Sequence, residues 1–412
     1  MKQGIIILLA WLLCSGAQAQ RIKVKTGIEV LKERHFDCLK GKRVGLITNP
    51  TGVDGSMRST IDILYQAPEV NLVALYGPEH GVRGDVHAGD HVADLKDAST
   101  GLPVYSLYGK TRKATPEMLK DVDVLVYDIQ DIGCRSFTYI STMGLAMEAA
   151  AEQGKEFVVL DRPNPLGGLK MEGNLTEDDC TSFVSQYRIP YLYGLTCGEL
   201  ALLLNGERML RGGVQCMLQV VKMKGWRRRM DYTQTGLQWV PSSPHVPHAH
   251  SAFFYPVSGI LGELGYVNIG VGYTIPFQMF AAPWMEAHAL AHRLNALQLR
   301  GVEFRPIYLK PFYSVGQGEQ LQGVQVHLTD VQEAPLAEIQ FRMMEAIAEL
   351  WPERAVFVRA NPERFDMFDK VCGSRQIRLR FSANNRWADI SDYWYKDVDD
   401  FHQLAKKYYL YK

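Results

Sequence analysis

Apolar residues in the first half of the chain fall into short unbroken runs separated by stretches of helical spacing. Residues 43–48, 72–76, 104–108, 122–128 and 156–161 are such runs, rich in Val, Leu and Ile, as strands buried on both faces require. Between them, 60–65, 115–119 and 141–152 read as helices, and a helix over 197–210 and a strand over 214–221 continue the series. Strands alternating with helices predict an α/β fold built on a parallel sheet covered by helices on both faces. The stretch 235–272 is rich in Pro, Gly and His and reads as long loops. Beyond it the character changes. A helix over 284–297, strands over 302–309 and 321–328 and a helix over 336–350 indicate a smaller α+β domain.

The first residues have a different pattern. Lys2 precedes an apolar run over 5–13, and Ala17-Gln18-Ala19 supplies a small-x-small cleavage site. A leader over 1–19 is therefore expected, followed by an α/β domain over 20–255 and an α+β domain over 256–412. The protein is expected to be exported, periplasmic or secreted. Cys14 raises lipidation as an alternative, but Leu13 stands where a lipobox needs a small residue.

Composition adds mainly exclusions. The 412 residues are 47% hydrophobic and 22% charged, with a formal net charge of zero. Nucleic acid and anionic membrane surfaces call for a basic excess that is missing here. Apart from Cys14 the cysteines are scattered, with no CxxC, and read as buried thiols with at most one disulfide. Gly270-Val271-Gly272-Tyr273 lacks the third glycine of a dinucleotide fingerprint, and no GxSxG elbow or Walker lysine occurs. No cofactor is expected.

Candidate chemistry gathers at the strand ends, which share one rim in a parallel sheet. Those ends carry Asn49, then Glu79 with His80, Arg83 and Asp85, then Asp128 with Gln130, Asp131 and Arg135, then Asp161 with Arg162 and Asn164. Glu79 stands out, set between Pro78 and His80 and bracketed by Gly77, Gly81 and Gly84. A carboxyl on such a turn suits a general acid, with Asp128 or Asp161 as the second catalytic carboxylate. Strand-end Asp and Asn also cap helices, so each residue alone has a structural reading as well. Near Arg135, Ser136 and Thr138 could hold a ligand or simply begin the following helix. His245, His248 and His250 have a spacing that a metal could use, but the prolines around them favour a substrate-lining loop.

The motifs Ile47-Thr48-Asn49-Pro50-Thr51-Gly52, Gly77-Pro78-Glu79-His80-Gly81-Val82-Arg83-Gly84, Asp128-Ile129-Gln130-Asp131-Ile132-Gly133-Cys134-Arg135, Asp161-Arg162-Pro163-Asn164-Pro165-Leu166-Gly167-Gly168 and residues 241–247 occur in that order. Together they resemble the NamZ-type exo-β-N-acetylmuramidases, glycoside hydrolase family 171, formerly a domain of unknown function. The resemblance spans the chain beyond the leader. It implies a Rossmann-like N-terminal domain and a smaller C-terminal domain with the site between them. The implied activity is removal of terminal β-1,4-linked N-acetylmuramic acid from the non-reducing ends of peptidoglycan fragments, with the catalytic glutamate at Glu79. A peptidoglycan-derived saccharide or muropeptide is thus the expected partner. Arg83, Arg135 and Arg162 are placed to meet the lactyl carboxylate, and Tyr76, Tyr139, Tyr193 and Trp239 are candidates for stacking on sugar faces. One departure stands out. Some members carry Ser-Glu-Gly-Arg-Gly-Thr where this chain has Asn268-Ile269-Gly270-Val271-Gly272-Tyr273. The oligomeric state, the stereochemical course and tolerance for stem peptides are not legible in the sequence.

Overall fold

The computed structural model describes residues 23–84 and 95–412. The expected leader and Asp85 lie outside the described residues. Six strands run parallel in the order β4 (Pro103–Ser106), β2 (Asn71–Gly77), β1 (Arg43–Thr48), β5 (Val124–Asp128), β6 (Glu156–Leu160) and β9 (Met217–Val221). The short β3 (Leu95–Lys96) adds antiparallel to β4, and a separate ribbon pairs β7 (Met171–Glu172) with β8 (Leu192–Tyr193). Strand order reverses at β1, between β2 and β5, which makes that point the topological switch of the sheet.

Alternate side chains of each strand feed different cores, as a period of two requires. Leu125, Tyr127, Phe157 and Val159 face one layer, with Met143 and Met147 of helix Tyr139–Glu152 and Leu200, Leu203 and Leu204 of helix Cys197–Gly206. Val124, Val126, Val158 and Leu160 face the other, against Ile28 and Leu31 of helix Gly27–Glu33 and Ile61 and Leu64 of helix Thr60–Gln66. The helix Thr60–Gln66 starts where the Ser59 hydroxyl accepts the Ile61 N–H at 3.1 Å.

The C-terminal part holds an antiparallel sheet ordered β10 (Met279–Ala282), β12 (Leu321–Leu328), β11 (Val302–Leu309). Its core includes Phe280, Val324, Phe341, Phe381 and Trp394. The expectation of long loops over 235–272 is corrected: a 14-residue helix, Ala249–Gly262, runs through this stretch with Pro256 inside it. Buried Gln340 bonds the turn that follows Pro256. Its amide donates to the Pro256 carbonyl at 2.8 Å and accepts the Leu261 N–H at 3.0 Å. The six cysteines among the described residues are free thiols.

The tail folds back onto the first sheet. The Leu410 N–H donates to Glu199 at 2.8 Å, the Tyr411 hydroxyl to Asp161, and the Arg228 N–H to the Lys412 carbonyl at 3.0 Å. The Arg228 guanidinium lies 3.4 Å from the centroid of the Tyr409 ring.

Candidate active site

The chain turns sharply after β2. The Gly81 N–H closes onto the Pro78 carbonyl at 3.0 Å, which puts Glu79 and His80 at the tip of the turn. His80 adopts φ +73°, a left-handed conformation that costs a non-glycine residue energy and clusters at functional sites. The turn directs Glu79 and His80 into a cavity of about 580 Å³, between the parallel sheet and the C-terminal part. The other walls come from Tyr108, from Ser136 to Tyr139, from His245, and from Tyr255 and Glu263 of helix Ala249–Gly262 and its end. Arg112 and Lys370 contribute positive charge.

The electrostatics of the cavity centre on two glutamates. Burial, followed by a hydrogen bond to Glu79, pushes the Tyr108 phenol up to about 12, so this hydroxyl stays protonated and donates to the carboxyl. Burial also raises the Glu263 carboxyl above the ordinary glutamate range, against the opposing charge of Arg364. The Tyr255 hydroxyl lies 3.2 Å from Ser136 Oγ and feels both Glu263 and Glu79. Burial, then the neighbouring His80, lowers His245 below the usual imidazole value.

Of the residues expected at the site, Glu79, His80 and His245 line this cavity together, and so do Ser136, Thr138 and Tyr139. Asn49 sits behind the wall, beside Tyr139, with its side-chain oxygen accepting from Thr51. The remaining described residues of the expected set do not line this cavity, and most of their polar groups are engaged within the fold. The Arg162 guanidinium grips Asp128 through two bonds of 2.6 and 3.0 Å and also donates to the Val53 carbonyl. The Gln130 amide donates to the carbonyls of Asp131 and Pro163, and Asn164 bridges Leu195 and Leu166. These contacts fill the switch-point crevice, where only about 10 Å³ remains. Asp161 accepts from Thr196, Gly198 and Tyr411, and burial pushes its carboxyl up to about 7 against those bonds.

Arg83 is paired with Asp97 at 2.9 Å and with the Ser99 hydroxyl. Arg135 is wholly buried and donates to the Ser185 hydroxyl and to the carbonyls of Asn174, Ile189, Val371 and Cys372. It ties the two parts of the chain together and does not face the cavity. Tyr76 and Tyr193 are core residues bonded to Met118 and Asp131, and Trp239 packs edge-on against Tyr232. His248 precedes helix Ala249–Gly262, and His250 packs on Phe253.

The structural role of the Asp128–Arg162 pair is open to test. Asp128→Asn strips the buried guanidinium of its counter-charge at a cost of about 3 kcal/mol. The expected result is a lower urea midpoint with kcat retained in the folded enzyme.

Sequence reasoning missed Glu263, Tyr108, Arg112, Tyr255 and Lys370. Tyr108 and Arg112 follow β4, and the strand-end logic applied to β2, β5 and β6 would have found them there. Glu263 lay hidden in a stretch read as loops.

Known proteins match this architecture over nearly its full length. The family model for the N-terminal region of the exo-β-N-acetylmuramidase NamZ matches residues 44–250, and the model for its C-terminal region matches 253–411. The peptidoglycan β-N-acetylmuramidase NamZ of Bacillus subtilis is 45% identical over 95% of this chain and 92% of its own length. Two crystal structures of DUF1343 family proteins from Bacteroides fragilis also match. One is 73% identical with a TM-score of 0.92, covering 95% of this chain and 100% of that one. The other is 27% identical with a TM-score of 0.73, covering 95% and 99%. With both halves of the cavity falling inside the two matched regions, the chain belongs to the NamZ exo-β-N-acetylmuramidase family.

Proposed function

We propose that this protein is an exo-acting glycoside hydrolase that releases terminal β-1,4-linked N-acetylmuramic acid from the non-reducing ends of peptidoglycan fragments. One observation carries the reading. The cavity that receives Glu79 on its strained turn also receives Glu263 from the C-terminal part, which supplies the two carboxyls glycoside hydrolysis requires. Glu79 protonates the leaving glycosidic oxygen, while the Tyr108 hydroxyl donates to its other oxygen and fixes its orientation. Glu263 takes the second role, in place of the expected Asp128 or Asp161. It accepts a proton from the attacking water or from the 2-acetamido N–H, and a carboxyl raised towards working pH suits that task. Arg112 and Lys370, in place of Arg83, Arg135 and Arg162, meet the lactyl carboxylate. The 1–19 segment, with its basic start, apolar run and Ala-x-Ala site, supports export to where cell-wall glycans lie.

A chromogenic aryl β-N-acetylmuraminide, set beside the matching N-acetylglucosaminide, tests the reading. Release of the aryl alcohol from the muraminide, unchanged in excess chelator, is expected. Binding without release would make the protein a sugar-binding module, and loss of turnover in chelator would make it a metal-dependent hydrolase.

A further inference from the structure

The wall of the cavity continues outward past His245. Its Nε2 lies 3.0 Å from the Tyr313 hydroxyl, and the two rings are 6.2 Å apart. The preceding residue, Phe312, is 70% exposed. It stacks on Tyr273 with centroids 6.0 Å apart and planes 18° from parallel. Tyr273 in turn borders a shallow basin of about 440 Å³, with Arg305 and Tyr308 on its lining. Tyr308 and Tyr313 are also about half exposed. Contiguous exposed aromatics of this kind mark a recognition surface.

The platform is held rigid. The Phe312 N–H donates to the Gly272 carbonyl at 2.8 Å, and the Asn268 amide donates to the Val315 carbonyl at 2.6 Å. Gly272 adopts φ +92°, and a Cβ there would lie 1.9 Å from the Tyr313 carbonyl oxygen, so only glycine lets the two loops meet. These contacts fix the loop backbone before any ligand arrives, which favours affinity. This is also the segment where the chain departs from the Ser-Glu-Gly-Arg pattern. Ile269 is buried, and Val271 packs on the C-terminal core.

We propose that Tyr313, Phe312 and Tyr273 form the binding surface for the sugars on the leaving-group side of the scissile bond, so that the rest of the glycan strand lies along them. The proposal rests on the muramidase reading. An exo-acting enzyme encloses the terminal sugar and leaves the remaining strand outside its cavity, and the aromatic row begins at that cavity's edge. Sugar rings present C–H faces that stack on aromatic faces, as bases and other rings do. Arg305, held by Gln325 at 2.7 Å, places a cation where a lactyl or stem-peptide carboxylate of the strand would arrive.

The test compares the one-sugar aryl muraminide with peptide-free glycan fragments of tetrasaccharide length or longer. Phe312→Ser and Tyr273→Ser are each expected to raise KM for the fragments about two- to tenfold. kcat is expected to hold, the aryl substrate to be unaffected, and Phe312→Trp to retain wild-type behaviour. Unchanged KM for the fragments in both serine variants overturns the proposal. So does a change in oligomeric state by light scattering with no length dependence, which would make the patch a contact between copies of the chain. A wild type that leaves both substrates intact would overturn the muramidase reading itself.

Discussion

Glu79→Gln lowers kcat by about 10²–10⁴-fold on a muramic acid–glucosamine disaccharide, the span that a positioned general acid contributes. The loss shrinks on an aryl muraminide whose leaving group departs without protonation. Glu263→Gln behaves differently, since a group serving water or the acetamido nitrogen is needed whatever the leaving group, and it slows both substrates alike. The pH profile gives a second readout. Glu263 works ionised, and burial raises its proton affinity, so the acidic limb of kcat/KM lies above the ordinary glutamate range. Glu263→Gln removes that limb. Equal losses on both substrates in the Glu79 variant would take the acid role away from Glu79.

The second large effect concerns Arg135. Arg135→Met leaves the buried carbonyls of Asn174, Ile189, Val371 and Cys372 without donors, each a desolvated group lacking its bond. The expected loss is about 5 kcal/mol, read as a fall in Tm on the order of 10 °C. A substrate-binding arginine would behave otherwise, with KM rising and Tm holding. The difference arises because, among the described residues, no carboxylate partners this guanidinium: carbonyl dipoles from both halves of the chain solvate it, and burial lowers it only to about 10, so it remains charged at neutral pH.

The parallel sheet was legible because its central strands β1, β5 and β6 are buried on both faces and leave unbroken apolar signatures; β1, β11 and β12 match their expected limits to the residue. The helix Ala249–Gly262 was hidden by Pro256 inside it, and part of its bonding comes from Gln340, 84 positions away in the chain. Glu79 could be found from its turn, because glycines and a proline report backbone geometry locally. Asp128 and Arg162 could not be assigned that way. A carboxylate and a guanidinium look alike in sequence whether they face a ligand or each other, and only the 2.6 Å contact decides.

The tail that returns to the first sheet bears on the order of events during synthesis. Asp161 and Glu199 emerge from the ribosome long before Tyr411 and Leu410, the partners that complete their bonding. The N-terminal half therefore holds each of these carboxylates one bond short, with Thr196, Gly198 and Arg228 as their earlier partners, until more than 200 further residues have been made. A fragment cut near residue 251 would never receive those partners, nor the bond between the Arg228 N–H and the Lys412 carbonyl.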